Sequence, residues 1–522
     1  MTEPPFHRRP NSPEPGRTSW AAPAPAAAPA SPATSRPIPA GGVRIPRRDP
    51  LLIKEWRRPA RPASPVLLVR AAVTGAVAAA LFPGRPGLNV PLAGVAAIIA
   101  LAPVARRNRT SILFAVLTLA LSALPVLVDA GWIVALAIAL AVPLGSYAVT
   151  GGRSWIDLVG GGLAFVPAAP RSVPWAGRGV GALARSRRRP TGPVVASLLL
   201  TGALLLVFGA LFAAADAAFS RALTGLLPDV GALSLIVRIL AFGGGVIAVL
   251  TAAFLTAARP RFARPPAASD VGRTLWAIPI VALDLLFLGF VAVQADVLLT
   301  SDRDRLLRST GLSYAEYARQ GFWQLLVVTG LVLVVVAVAV RYAPVAGRAD
   351  RVTVRTLLGL LCVLTLVVVA VALRRLFLYE QAYGWTRLRL WVHAFELWMG
   401  LVIVLVAVAG IRLKAAWLPR AVAAAGAAGL LALGLWGPDG FIAAHNVDRF
   451  RHTGSADLPY LAGLSADAVP ALDRLPEPQR SCVLRHLAGS LRHGDSWTSF
   501  NLSRAQARDL LRRHPVQPSS AC

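Results

Sequence analysis

Long uncharged stretches rich in Ala, Val and Leu alternate with short arginine-bearing loops between residues 65 and 436. A helix rises ~1.5 Å per residue, so ~20 apolar residues cross the ~30 Å hydrocarbon layer with every backbone N–H and C=O bonded inside the helix. The pattern therefore predicts about eleven membrane-spanning helices. Their expected positions are residues 65–83, 88–104, 111–128, 131–150, 193–214, 231–257, 274–296, 321–341, 353–373, 388–411 and 419–436.

The two ends of the chain follow different patterns. Residues 1–63 are rich in Pro and Ala, then basic, and lack hydrophobic periodicity, which predicts a disordered tail. From residue 437 the charge rises and amphipathic runs such as NLSRAQARDLLRRH begin, which predicts a small helical domain at residues 437–522. The predicted fold class is all-α: a polytopic transmembrane helix bundle at residues 64–436 with a small C-terminal helical domain.

One apolar stretch does not have the features of a membrane-spanning helix. Residues 154–170 (SWIDLVGGGLAFVPAAP) are too short and too rich in Gly and Pro for a span, and a basic run follows them. These features favour an interfacial or re-entrant segment on the inner face of the membrane.

Composition and charge set the class and the expected orientation. With 56% hydrophobic and 15% charged residues, the chain is not an ordinary soluble domain. If the N-terminus lies inside, the inner loops hold about twice as many Arg and Lys residues as the outer loops. This asymmetry predicts a cytoplasmic N-terminus and, with eleven spans, an extracytoplasmic C-terminus. Given the net charge of +29, the expected partner is a lipid bilayer that includes anionic lipids, and nucleic acid is not an expected partner.

Four segments carry a resemblance: ADAAFSRAL (215–223), SYAEYARQGFWQLL (313–326), LYEQAYGWTRLRLWV (378–392) and the run from AHNVDRFRHTG to ADAVPAL (444–472). Together they resemble an uncharacterised family of bacterial polytopic membrane proteins defined by a domain of unknown function, of the 4153/4173 type. The resemblance covers most of the chain beyond the N-terminal tail. It implies a bacterial cytoplasmic membrane and no established reaction, and it points to a membrane partner protein such as a sensor-kinase system.

Two predicted outer loops concentrate polar side chains. The candidate ligand residues are Tyr314, Glu316, Tyr317 and Arg319 in one loop and Glu380, Arg387 and Arg389 in the other. Arginines suit bidentate recognition of phosphate or carboxylate, so these loops are candidates for an anionic or glycan-bearing ligand. The alternative is an interfacial aromatic belt with mutual salt bridges.

The tenth predicted span carries an intramembrane candidate. Arg389, His393 and Glu396 are spaced to share one helix face, which should point into the bundle toward span seven or nine. They can form a proton relay or cation site, or a pair that fixes helix packing. Asp284 in span seven is the natural further partner. Trp391 and Trp398 are expected on a stripe nearer the lipid.

Other chemistry is sparse. Cys482 and Cys522 can form a disulfide if their domain lies outside. No nucleotide-binding, hydrolase or metalloprotease motif occurs, so no catalytic residue, metal or cofactor is expected.

The sequence therefore indicates an integral membrane protein of unknown molecular function, most simply a non-enzymatic envelope sensor, scaffold or accessory component. The alternative is a transporter or permease with intramembrane His, Glu and Asp coupling groups, and a lipid-linked glycan enzyme comes third.

Overall fold

The computed structural model describes residues 53–186, 232–262, 272–299 and 322–517, with short gaps at 57, 83, 105–107, 344–346 and 414, and four isolated positions from 201 to 216. The helices of the bundle are α1 (Pro65–Leu81), α2 (Asn89–Leu101), α3 (Arg109–Leu127), α4 (Gly131–Thr150), α5 (Trp155–Leu163), α6 (Phe165–Ser186), α7 (Ala232–Ala257), α8 (Arg273–Leu299), α9 (Phe322–Tyr342), α10 (Arg348–Tyr383), α11 (Arg387–Arg412) and α12 (Leu418–Leu435). After them come α13 (Pro438–Thr453), α14 (Leu458–Ala462), α15 (Val469–Leu472), α16 (Gln479–Ser490) and α17 (Leu502–Arg513). A two-stranded antiparallel pair joins β1 (Ile53–Glu55) to β2 (Arg261–Phe262).

The all-α polytopic bundle predicted from sequence is confirmed. Among the described residues, eight helices are long and apolar enough to cross a membrane, namely α3, α4 and α7 to α12. The shorter apolar helices α1 and α2 occupy two further predicted spans. The predicted span at residues 193–214 lies outside the described residues. The chain is a multi-pass membrane protein, and the domain boundaries at residues 63 and 436 stay predictions.

The C-terminal helices cover one end of the bundle. Leu88 N, in the α1–α2 connection, donates to the Phe500 carbonyl at 3.1 Å. The Asn501 amide donates to the Pro125 carbonyl near the end of α3 at 2.8 Å, and the Asn446 amide donates to the Trp385 carbonyl between α10 and α11 at 2.9 Å. We call residues 437–517 the cap and the bundle end beneath them the capped end. The opposite, uncapped end is where α1, α3 and α10 begin.

Helices α5 and α6 form a hairpin that enters and leaves the bundle at the uncapped end. Gly161 of α5 packs on Thr150 and accepts a 2.5 Å hydrogen bond from the Ser146 hydroxyl, and Gly162 packs on Pro143. Because Pro143 lies about two turns before the end of α4, α5 penetrates ~10 Å. Gly161 and Gly162 let α5 approach α4 this closely, whereas Gly160 leaves room for the Phe262 ring of β2.

The second arm of the hairpin returns beside α7. The Ser172 hydroxyl lies 3.3 Å from the Thr251 hydroxyl, and the Trp175 and Phe254 rings are 5.8 Å apart. Further along α6, Gly179 packs against Ala63, just before α1. These contacts with α4 and α7 are compatible with the re-entrant alternative, and the side of the membrane from which the segment enters stays a prediction.

Helices α1 and α7 pack antiparallel through glycines. A Cβ added at Gly75 would lie 2.8 Å from the Phe242 carbonyl oxygen and 2.6 Å from a Val246 methyl. A Cβ added at Gly244, on the same α7 helix, would meet nothing within 4 Å. The close contact of α1 and α7 therefore depends on which position lacks a side chain: Gly75 lies in the contact, and Gly244 does not.

We expect Gly75→Ala to lower stability by about 1–3 kcal/mol, because overpacking forces the two backbones apart. Gly244→Ala is the matched control and should be neutral or stabilising by up to ~1 kcal/mol through helix propensity. Thermal unfolding of the full chain in detergent measures both, and equal effects of the two variants would contradict the close helix approach.

Candidate functional site

Among the described residues, three carboxylates are buried within the bundle. Asp284 of α8, Glu380 of α10 and Glu396 of α11 are 4%, 1% and 2% exposed. Both oxygens of Asp284 and one oxygen of each glutamate have no hydrogen-bond partner among the described residues. Ionised groups in this state are costly in a bilayer interior, so these positions are the first candidates for function.

Glu380 and His393 form a buried pair across α10 and α11. The three residues 384–386 connect these helices, so the two helices run antiparallel and face each other. The His393 Nδ1 atom lies 3.0 Å from Glu380 Oε1. Either group can carry the shared proton, so the pair can hold a proton and pass it on. The predicted position of Glu380 in an outer loop is wrong: α10 continues to Tyr383, and one oxygen of the carboxyl meets His393 between the two helices.

Glu396 lies one helical turn further along α11. Its Oε1 atom accepts a 3.2 Å hydrogen bond from the Thr329 hydroxyl of α9. A small cavity with room for about one water molecule adjoins it. The lining residues are Leu326, Ala372, Leu373, Leu376, Val392 and Glu396. Glu396 is the one polar residue of this lining.

The face of α11 predicted from helical spacing turns toward α10. The Arg389 guanidinium lies 4.2 Å from the Tyr379 ring centre and donates to the Gly384 carbonyl. His393 meets Glu380, and Glu396 meets the cavity that α10 helps to line. Trp398 does not face lipid as expected: it packs against Gly426 of α12, where the absence of a side chain leaves room for the indole.

Asp284 is separated from this group. Helices α8 and α10 run parallel, because Arg273 pairs with Asp350 near their starts and Gln294 accepts from Arg375 further along. Asp284 therefore lies level with the middle of α10, well below Glu380. The structure brings Glu380, His393 and Glu396 together and leaves Asp284 apart.

The remaining sequence candidates lie elsewhere. Tyr314, Glu316, Tyr317 and Arg319 are outside the described residues. Cys482 lies in α16, but Cys522 is outside the described residues, so their bridge stays a prediction. Within the part of the chain that is described, no group of three or more His, Cys, Asp or Glu residues is arranged to hold a metal ion.

Arg387, predicted as a ligand residue of an outer loop, lies at the start of α11 and joins the bundle to the cap. Its guanidinium donates to both oxygens of Asp439 in α13, at 3.0 and 2.5 Å. Asp439 also accepts from the Trp132 indole at 3.0 Å and from the Ser465 N–H at 2.9 Å. Burial alone would raise the pKa of Asp439, but the bonds from Arg387 and Trp132 outweigh it, so this pKa lies below its usual value.

A second ionic contact joins the cap to the α3–α4 connection. Its residues were not among the candidates predicted from the sequence. Arg504 of α17, 2% exposed, donates to Asp129 at 2.7 Å and to Asp495 at 3.1 Å. The Asp129 N–H in turn donates to Asp467 at 3.0 Å. Burial raises the pKa of Asp467 above its usual value despite these hydrogen bonds. The sequence offered one signal for this contact, because Asp129 is an acidic residue in the three-residue loop between α3 and α4.

A contact path links the buried pair to the cap. The Trp385 ring stacks on His393, with centroids 5.5 Å apart. On its other sides it meets Phe441 at 4.8 Å and His445 at 5.7 Å, both in α13 of the cap. One indole therefore touches the titratable pair of the bundle and a helix of the cap.

Comparison with known proteins identifies a family. A family model described as "Domain of unknown function (DUF4153)" matches residues 113–475, which is more than half of the chain. No curated protein and no solved structure matches the chain. The matched range includes the Glu380–His393 pair, Glu396 and the Arg387–Asp439 ion pair that joins the cap to the bundle. It ends before Arg504.

Asp439→Asn should destabilise the cap by about 2 kcal/mol, because it removes one partner of a largely buried ion pair. Asp448→Asn, on the same helix α13, should cost at most about 0.5 kcal/mol, because its contact with Arg474 is long, at 3.9 Å, and exposed. Protection of the cap from limited proteolysis and thermal unfolding provide the readouts.

The same pair gives a pH signature. Since the folded-state pKa of Asp439 is depressed, its contribution to stability is present above the unfolded-state pKa of about 3.9 and is lost as pH falls through the lower folded value. The difference between the wild type and Asp439→Asn should therefore shrink at acid pH. A difference that is constant with pH would show that the carboxylate charge does not fasten the cap.

Proposed function

This chain belongs to the DUF4153 family, whose function is unknown, and we propose that it is a non-enzymatic sensor or accessory component of the bacterial cytoplasmic membrane. In this role the cap receives a signal or a partner, and the His393–Glu380 pair changes state in response. The partner is a second membrane protein, of which a sensor-kinase system is the type that the family resemblance suggests.

The observation that carries the proposal is the Trp385 contact path. A cap that was only a lid would need no connection to a buried titratable pair. Here α13 meets Trp385 through Phe441 and His445, and Trp385 meets His393. A shift of α13 and a change of protonation at the pair can therefore influence each other, which is the reciprocity that a coupled sensor requires.

The distribution of charge supports an orientation with the uncapped end in the cytoplasm. Cap charges are largely matched within the protein, as at Arg387–Asp439, Arg504–Asp129 and Arg480–Asp473. The uncapped end carries exposed arginines such as Arg178 and Arg355. An excess of unmatched arginine is typical of the cytoplasmic side of a membrane protein.

A transporter is the second candidate, and the cavity beside Glu396 favours it. Glu396 is a buried carboxylate with one unpartnered oxygen, and it contributes to the lining of a small cavity; buried carboxylates of this kind occur in proton and cation pathways. This function ranks second because the cavity has room for about one water molecule, which is too little for a hydrated solute.

Reporter fusions test the proposed orientation. A reporter that is active only in the cytoplasm should work when it is fused after Arg412, in the connection between α11 and α12, and should fail when it is fused after residue 517. Activity at both positions, or the reverse pattern, would contradict the cytoplasmic assignment of the uncapped end.

Hydrogen exchange tests the proposed coupling. In the full chain reconstituted in nanodiscs, Glu380→Gln weakens the bond to His393, and a coupling free energy of about 1 kcal/mol would raise amide exchange in residues 438–453 about fivefold. Asp284→Asn removes an equally buried carboxylate that is remote from the cap, so it should leave this exchange unchanged. Unaltered exchange in folded Glu380→Gln, or an equal rise in both variants, would rule out the coupling.

A further inference from the structure

We propose that the mouth of the α5–α6 hairpin binds an anionic phospholipid. Arginines of α6 hold its phosphate, and the exposed apolar face of the hairpin receives its acyl chains. This site lies at the uncapped end and is independent of the sensor role proposed above.

Helix α6 has three distinct faces. One face packs into the bundle through Ala168, Ser172 and Trp175, all at or below 5% exposure. A second face is apolar and exposed, at Val166 and Val173. The apolar residues that are exposed along the hairpin are Trp155, Val159, Leu163, Val166, Val173 and Val180. Within each helix their spacing follows the helical repeat, so Trp155, Val159 and Leu163 share one face of α5, and Val166, Val173 and Val180 share one face of α6.

The third face of α6 is a row of arginines. Arg171, Arg178 and Arg185 are seven residues apart, so two turns separate each from the next and they lie almost in line. The Arg171 guanidinium lies 4.6 Å from the Trp56 ring centre and donates to the Pro167 carbonyl. Arg178 and Arg185 are exposed, at the end of α6 that emerges from the bundle.

The segment before α1 adds further positive charge beside this row. The Trp175 indole donates to the Arg61 carbonyl at 2.9 Å, which brings residues 58–61 against α6. The side chains of Arg58 and Arg61 are exposed. At the start of this segment the backbone of Glu55 pairs with that of Arg261 in β1 and β2. The local charge is therefore strongly positive.

The presence of an exposed arginine face and an exposed apolar face on the same helix identifies the ligand class. Arginine binds phosphate oxygens bidentately, and each basic residue near an anionic lipid surface contributes about 1 kcal/mol. A free phosphate would use the arginines alone and leave the apolar face unexplained. A phospholipid uses both, and its net negative charge distinguishes it from zwitterionic lipids.

The test compares lipids on the purified full chain in detergent. Added phosphatidylglycerol should raise the unfolding temperature more than phosphatidylcholine with the same acyl chains. Arg178→Gln combined with Arg185→Gln should remove at least half of this phosphatidylglycerol-specific shift. Arg178→Lys combined with Arg185→Lys should retain most of it, because the charge is preserved.

The matched control is Arg348→Gln combined with Arg355→Gln. These arginines are also exposed, also seven residues apart and also at the uncapped end, but they lie on α10. The control should keep the full phosphatidylglycerol-specific shift. The proposal is overturned if the control loses as much as the α6 variant, if both lipids stabilise the wild type equally, or if inorganic phosphate alone reproduces the shift.

Discussion

A charged group that leaves water must find its partner inside the protein, and this constraint governs how the bundle and the cap fit together. Arg387 begins α11 at the capped end, where a bare guanidinium would sit beside lipid and helix ends. Asp439 meets it from a cap helix and is itself fully buried by the contact. Burying either Arg387 or Asp439 without the other would cost free energy, so the cap and the bundle are held together at this ion pair. The position of α13 then fixes the position of Trp385, which contacts that helix.

The cap is fastened at several connections and not at one. Asp439 ties it to α11, Arg504 ties it to the α3–α4 connection, and the Phe500 carbonyl ties it to the α1–α2 connection. Contacts distributed over three hairpins hold the ends of six helices in register. A relative movement of these hairpins would therefore change a contact in the cap, which is what the proposed sensor role requires.

Sequence patterns were sufficient for the bundle and insufficient for the site. Runs of ~20 apolar residues fix where helices lie in a bilayer, so the described spans fall close to their predicted positions. Hydropathy could not show that α10 continues to Tyr383, because Glu380 and the arginines before it end the apolar run while helical hydrogen bonding goes on. Helical spacing did predict the α11 face that carries His393 and Glu396. The contacts of Asp439 and Arg504 join residues hundreds of positions apart or on different helices, and no local pattern reports such pairs.

The arginines at the two ends of the molecule differ in where their counter-charge comes from. At the capped end the protein supplies both signs of charge, so Arg387 and Arg504, which hold the cap on the bundle, are neutralised by its own carboxylates. At the uncapped end the arginines of α6 are exposed beside an apolar face. Such a surface is stable where counter-charge and acyl chains are both at hand, which is the boundary layer of an anionic leaflet. The proposed orientation and the proposed lipid site therefore depend on the same asymmetry, because turning the molecule over would move those arginines to the leaflet that carries less negative charge.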